Sequence, residues 1–328
     1  MRILKIEQMQ KVDKGEIEGL GISFSEDVCA VLLDKELAKG LLPKRKRNSH
    51  KGSYGKAAIV GGSEEYTGAA YLAASACLRA GAGYTVLFVP KAILPLYALK
   101  SPELLLKPIC EGGRYAFNEE SMAELLSYDS IAFGMGMGAS NEVLKGIEYL
   151  LKRYEGKLII DADGLNSLAK LSLKDLEALF KDAKCDVILT PHCKEFSRLC
   201  RKAVEEIVEG GASSAKEFAG KYRVNLLLKN ALSMITDGER LALNVAGNSG
   251  QAKGGSGDVL AGVIAGLCAS GVNTFEGGAL GAYLVGKAAE LGVRDFSEYS
   301  LTASELIAYL PKAFLFVTED TGEDREEQ

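Results

Sequence analysis

Histidine is scarce in this chain, with two residues among 328, and the seven cysteines include no C-x-x-C pair. Paired thiols and clustered imidazoles frame most structural zinc sites, so a zinc-built fold is not expected. The cysteine count is odd, no signal-peptide apolar core is present, and no apolar run reaches the ~18 residues of a membrane span. Reduced thiols, a cytoplasmic location and no membrane partner are the expectation. Basic surface is lacking too: the net charge is −5, and residues 44–47 (KRKR), read as a solvated linker, are the only basic cluster. A nucleic-acid partner needs a cationic face that releases counterions from phosphates, and none is expected. There is no internal repeat and no low-complexity linker.

What is present can fill a core. The 47% hydrophobic content suits one large α/β domain or two small ones. Apolar strands are expected near 57–61, 84–89, 130–134, 157–161, 186–190 and 224–228, with a hairpin at 231–245 and helices over 274–292 and 301–317. Strands alternating with helices imply parallel pairing, hence an α/β three-layer α/β/α sandwich with a mainly parallel central sheet, its sites at the carboxyl ends of the strands. Gly277, Gly278 and Gly281 permit close packing, including subunit contacts. Residues 1–43 form an extension without a glycine-rich site, reading as a short strand or turn and an amphipathic helix with Met9, Val12 and Ile17 as core contacts. The main domain spans 44–318, and 319–328 is an acidic tail expected to be disordered.

The chain is organised around residues 244–271, NVAGNSGQAKGGSGDVLAGVIAGLCASG. Five glycines lie between Gly247 and Gly257, and after Asp258 no charge occurs before Glu276. Gly254, Gly255, Ser256 and Gly257 thus form a polar loop feeding a buried helix, a natural phosphate cradle. Asp258 conflicts with simple anion binding, because a carboxylate beside phosphate repels it. As a base taking a proton from an attacking hydroxyl, it would not conflict. Read alone, GGSGD is equally a glycine turn with an Asp cap.

Other motifs fall at strand ends. Residues 50–56 (HKGSYGK) precede AAIVGG and then Ser63 to Ala70 (SEEYTGAA), where Ser63 or Thr67 can cap a helix. Residues 131–139 (IAFGMGMGA), with Asp161 further on, mimic a dinucleotide fingerprint. In DADGLN (161–166) two carboxylates share one side of an extended segment and can bind Mg²⁺ through water, or Asp163 caps a helix. TPHCKE (190–195) carries one of the two histidines. LKNALS (228–233) ends a strand with Lys229.

N-x-x-G-N-x-G-x-A-K-G-G-S-G-D-V-L-A-G, together with these motifs in the same order, resembles the nucleotide-dependent NAD(P)H-hydrate dehydratases, a branch of the ribokinase-like superfamily. The resemblance spans roughly 44–317. Thr67, Met135 and Cys193 stand where the family usually has Pro, and Asn230 where it has Gly. It implies that Asp258 is the phosphoryl-transfer base and contacts substrate, as do Ala69, Gly138 and His192. Lys229, Asn230, Ala231, Leu232, Ser233, Asn244 and Gly257 would border ADP or ATP. Glu195 would join the phosphate and metal environment, with Asp161 a further candidate ligand for Mg²⁺. The implied reaction phosphorylates the C6 hydroxyl of (6S)-NADHX or (6S)-NADPHX and eliminates phosphate, in a homo-oligomer, often a tetramer. The opening residues resemble the start of an epimerase domain without its body, and no epimerase activity is expected. Three alternatives stay open: a ribokinase-like kinase for a small alcohol or vitamin precursor, a Rossmann dehydrogenase, and a nucleotide-sensing module.

Overall fold

A computed structural model describes residues 8–12 and 28–319. Among the described residues eleven strands form one sheet: β1 (Gln10–Val12), β2 (Val28–Leu32), β3 (Lys56–Val60), β4 (Tyr84–Pro90), β5 (Leu105–Cys110), β6 (Ser130–Phe133), β7 (Lys157–Ile160), β8 (Asp186–Leu189), β9 (Asn225–Leu228), β10 (Ser233–Thr236) and β11 (Leu241–Asn244). Their spatial order is β1-β2-β11-β10-β9-β8-β7-β6-β3-β4-β5. β10 runs antiparallel to both neighbours and β1 to β2, and all other pairs are parallel.

Residues along each central strand alternate between two cores. Ile59, Leu87, Ala132, Ile159, Ile188 and Leu227 enter one, and Val60, Phe88, Phe133, Ile160, Leu189 and Leu228 the other. Both faces are therefore covered by helices, as a parallel sheet requires. Lys35–Leu41 (α1), Thr67–Arg79 (α2) and Leu94–Ala98 (α3) lie on the first face. Glu119–Leu125 (α4), Asn141–Arg153 (α5), Asp163–Leu168 (α6), Leu173–Lys181 (α7), Cys193–Cys200 (α8), Val204–Glu209 (α9) and Gly211–Tyr222 (α10) cover the second. Ser256–Ala269 (α11), Thr274–Ser300 (α12) and Ala303–Thr318 (α13) return to the first.

The chain steps outward from β3 through β4 to β5, then crosses to the other side of β3 and steps through β6, β7 and β8 to β9. The helices change face at that crossing. The carboxyl ends of β3 and β6 thus part company and open the crevice where such sheets bind ligands.

Within the expected extension 1–43, residues 28–41 pack onto the main sheet: β2 pairs with β11, and Leu33, Ala38 and Leu41 join the first core. Two other expectations are corrected. Gly277, Gly278 and Gly281 face inward, where an added methyl would meet Cys268, Ile188 and Ile264 of the same chain, so they serve intrachain packing. Neither Ser63 nor Thr67 caps α2, whose preceding residue is Tyr66. Met9 is half-buried, while Ile17, the side chain of Val12 and the acidic tail beyond 319 lie outside the described residues.

Candidate active site

α11 carries Asp258 in its first turn and is buried from Val259 to Ala269. Two glycines allow it that depth. A methyl at Gly262 would lie 2.0 Å from the Ala73 carbonyl oxygen, and one at Gly266 2.8 Å from that of Cys77, so α11 and α2 touch through their backbones. The residue before the helix is Gly255, whose φ of 97° favours glycine and whose Cα faces Leu72 and Ala303. No side chain caps its first turn, and Gly254 borders open space. The glycine loop thus presents an uncapped, positive helix end beside a gap, which suits phosphate oxygens.

Opposite Gly257 stand two strand ends. Lys229, just after β9, donates from Nζ to Asp161 Oδ1 at 2.8 Å, and Thr190 Oγ1 donates to the same oxygen at 2.9 Å. A methyl on Gly257 would sit 3.3 Å from Lys229 Nζ and 3.8 Å from Asp161 Oδ2. Residues far apart in sequence, Asp161, Lys229, Gly257 and Asp258, therefore meet. Burial, then the charge of Asp161, pushes the Asp258 carboxyl up to about 7, with Lys229 opposing. Burial works against the Lys229 ammonium, but Asp161, Glu195 and Asp258 hold its pKa above the ordinary value. A carboxyl poised near neutrality beside a cation is suited to accept a proton from an alcohol.

His192 adjoins this group through backbone pairing with Lys229. It precedes α8, and its Nδ1 accepts from the backbone N–H of Lys194 (3.1 Å) and Glu195 (3.3 Å). With Nδ1 occupied as an acceptor, a neutral ring carries its proton on Nε2. Burial, then Lys229 and Arg198, lowers the His192 pKa. Glu195 is buried, accepts from the His192 backbone N–H at 2.9 Å, and has its pKa raised by burial.

The switch-point crevice holds the remaining pair. Gly136 packs against Tyr66 and Ala69, where a methyl would lie 2.9 and 3.0 Å from their Cβ atoms. Gly138, at φ 77°, faces open space. Ala69 and the 134–138 loop therefore share one wall of the crevice.

Other candidate residues sit differently from the expectation. Asn244 is buried, its amide donating to the carbonyls of Ala246 (3.0 Å) and Ala282 (3.3 Å), so it shapes the turn after β11 rather than offering its side chain to a ligand. Leu232 is a core residue, and Ser233 Oγ donates to the Asn230 carbonyl at 3.2 Å, leaving the backbone around exposed Asn230 and Ala231 as the accessible part of that segment. Asn230 is not in the left-handed region; its Oδ1 accepts from the Ala231 N–H at 2.9 Å. Of the candidate metal ligands, Asp161 accepts from Lys229 and Thr190 through Oδ1, and Glu195 accepts from a backbone N–H through Oε2. Among the described residues no group of three or more His, Cys, Asp or Glu could hold a metal ion. Asp161 and Asp163 do not share one side either: Ala162, at φ 49° and ψ −115°, breaks the extension between them. Asp163 does not cap α6 but accepts from the Gly138 N–H at 2.8 Å. Thr190 and this Asp163 contact were not foreseen; the adjacency of TPH and DAD to strand ends was the only signal.

A mainly parallel sheet with its switch-point crevice, a glycine loop opening a buried helix, and a carboxylate beside a lysine define a ribokinase-like α/β protein. The family model described as NAD(P)H-hydrate dehydratase matches residues 57–312, and the chain belongs to that family. A "Bifunctional NAD(P)H-hydrate repair enzyme Nnr" of Thermofilum pendens is 37% identical over 284 residues, covering 85% of this chain and 53% of the relative. One of Moorella thermoacetica is 35% identical over 286 residues with the same shares. The chain thus spans about half the length of these curated relatives. The ADP/ATP-dependent NAD(P)H-hydrate dehydratase of Bacillus subtilis, co-crystallized with ATP/Mg²⁺, superposes with a TM-score of 0.76 at 29% identity, covering 88% of this chain and 99% of that one.

Proposed function

We propose that this chain converts (6S)-NADHX or (6S)-NADPHX to NADH or NADPH with ADP or ATP as phosphoryl donor. Asp258 removes the proton from the C6 hydroxyl, and that oxygen bonds to the terminal phosphorus as the bridging P–O bond of the nucleotide breaks. The C6–O bond then breaks, pushed by the ring-nitrogen lone pair, and phosphate leaves. Loss of a proton from the neighbouring ring carbon completes the dehydration. The uncapped start of α11 and Lys229 bind the charge that gathers on the transferred group. Ala69, Gly138 and His192 line the substrate side, while Gly257 and the 229–233 segment border the nucleotide.

Mg²⁺ fits this arrangement as an ion carried on nucleotide phosphates, since the nearby carboxylates are held by protein partners. Bound there, it neutralises phosphate charge. The observation that carries the reading is the Asp258 carboxylate set beside Lys229 at the mouth of the glycine loop. Seven unpaired thiols support a reducing cytoplasmic setting, and no helix among the described residues is long and apolar enough to cross a membrane. A homo-oligomer, tetrameric as the resemblance implies, completes the proposal.

Incubation of the purified chain with (6S)-NADHX and ADP, and with ATP, tests it. The expected result is stoichiometric release of phosphate and return of reduced-nicotinamide absorbance. A stable phosphate ester without that absorbance would favour the kinase alternative, and nucleotide binding without phosphate release a sensing module.

A further inference from the structure

Besides burial, two carboxylates two residues apart both raise the pKa of Asp258, yet they hold different partners. The geometry points to a division of labour between them. Asp161 holds Lys229 and Thr190, beside the glycine loop. Asp163 accepts from the Gly138 N–H at 2.8 Å, under the crevice wall. The backbone of Ala162 between them, at φ 49° and ψ −115°, is a conformation that a non-glycine residue keeps only when its surroundings impose it. The β6 and β7 loops impose it here: a methyl at Gly134 would lie 2.2 Å from the Asp161 carbonyl oxygen and 2.7 Å from the Gly164 nitrogen.

α6 grips the whole of residues 138–140. Beyond the Asp163 contact, Ser167 Oγ accepts from the Ser140 N–H at 3.2 Å, and Lys170 Nζ donates to the Ala139 carbonyl at 2.9 Å. Asp163 and Ser167 lie one helical turn apart on α6 and Lys170 sits in the turn that follows it, so this short segment fixes three consecutive loop residues. The grip extends to α8, where Arg198 donates to Asn166 Oδ1 at 2.8 Å and Asn166 approaches Asp163 Oδ1 at 3.4 Å. Gly138 itself, at φ 77°, borders open space where a side chain would stand.

We propose that Asp163 is a positioning residue for the hydrated-cofactor side alone: it fixes the 138–140 loop in its receiving shape, while Asp161 serves the nucleotide side through Lys229. This rests on the dehydratase reading of the site. Its signature is separable kinetics from neighbouring residues.

The test uses the full chain with D163A, D163N, S167A and D161N, assayed with (6S)-NADHX and ADP and by equilibrium binding of NADH and of ADP. D163A should raise KM for the hydrated cofactor about tenfold or more and weaken NADH binding, with KM for ADP within about twofold of wild type. D163N should recover most of the loss, because its amide oxygen can accept from Gly138, and S167A should show a smaller change in the same direction, which decides the matter if D163A does not fold. D161N should lower kcat or raise KM for ADP and spare NADH binding. Equal effects of D163A on both ligands, or none on the cofactor, would overturn the proposal. An inactive wild type would sink the reaction instead, and the two binding measurements would still decide the clamp.

Discussion

Changing Asp258 to Asn keeps the shape of the side chain and removes its charge, and the two readings of GGSGD then predict opposite signs of stability change. The folded carboxyl is pushed up to about 7 from 3.8, by burial first and Asp161 second. Such a shift corresponds to about 4 kcal/mol favouring the neutral form, a ceiling because the group is partly exposed. The folded state therefore binds more protons than the unfolded chain between about pH 4 and 7, and the wild type loses stability as pH rises through that window. Asn carries no such cost. D258N should be more stable than wild type by about 2–4 kcal/mol at pH 8, with the gap closing towards pH 4. A carboxylate that merely favours the helix start would instead be missed, by ~0.3–1 kcal/mol at pH 8. Turnover should fall about 10²–10⁴-fold, the usual contribution of a general base. Calorimetric melts at pH 5 and pH 8, alongside phosphate release, read both quantities. A variant that melts below wild type at pH 8, or turns over at a comparable rate, would refute the assignment of the base.

The wild-type kcat/KM should climb about tenfold per unit below pH 7 and level off above it, because only the ionised Asp258 accepts a proton; a profile flat from pH 5 to 8 would count against this. K229M should cost about 3 kcal/mol in urea unfolding, since it leaves the buried Asp161 carboxylate without its cation, and adding D161N should restore most of it; no restoration would mean the pair is not coupled. G262A should destabilise by at least about 3 kcal/mol, because its methyl meets the Ala73 backbone rather than a yielding side chain; a wild-type melting temperature would show that α2 can retreat.

The six expected strands and the hairpin all appear in the sheet, close to their expected positions, because strands buried on both faces read as apolar runs. β5 and β2 did not stand out. β5 contains Pro108 and leaves Leu105 exposed, features that a sheet tolerates only at its edge, and β2 depends on β11 to complete it. At the site, the glycine loop and Asp258 were visible because glycine and a helix start have local signatures. The Asp161–Lys229 pair was not, since nothing local joins residues 68 apart in sequence. The turn at Ala162 was hidden as well: an alanine gives no warning of a positive φ, and an extended segment was the natural reading.

The direct contact of α11 with α2 at Gly262 and Gly266 has a bearing on how this scaffold can change. The carboxylate proposed to act as base is bolted in place by main chain, so its offset from the end of β7 is inherited with the architecture and is indifferent to most amino-acid drift. Novel specificity can then evolve in the rim loops without re-registering the proton acceptor, while either glycine is close to irreplaceable.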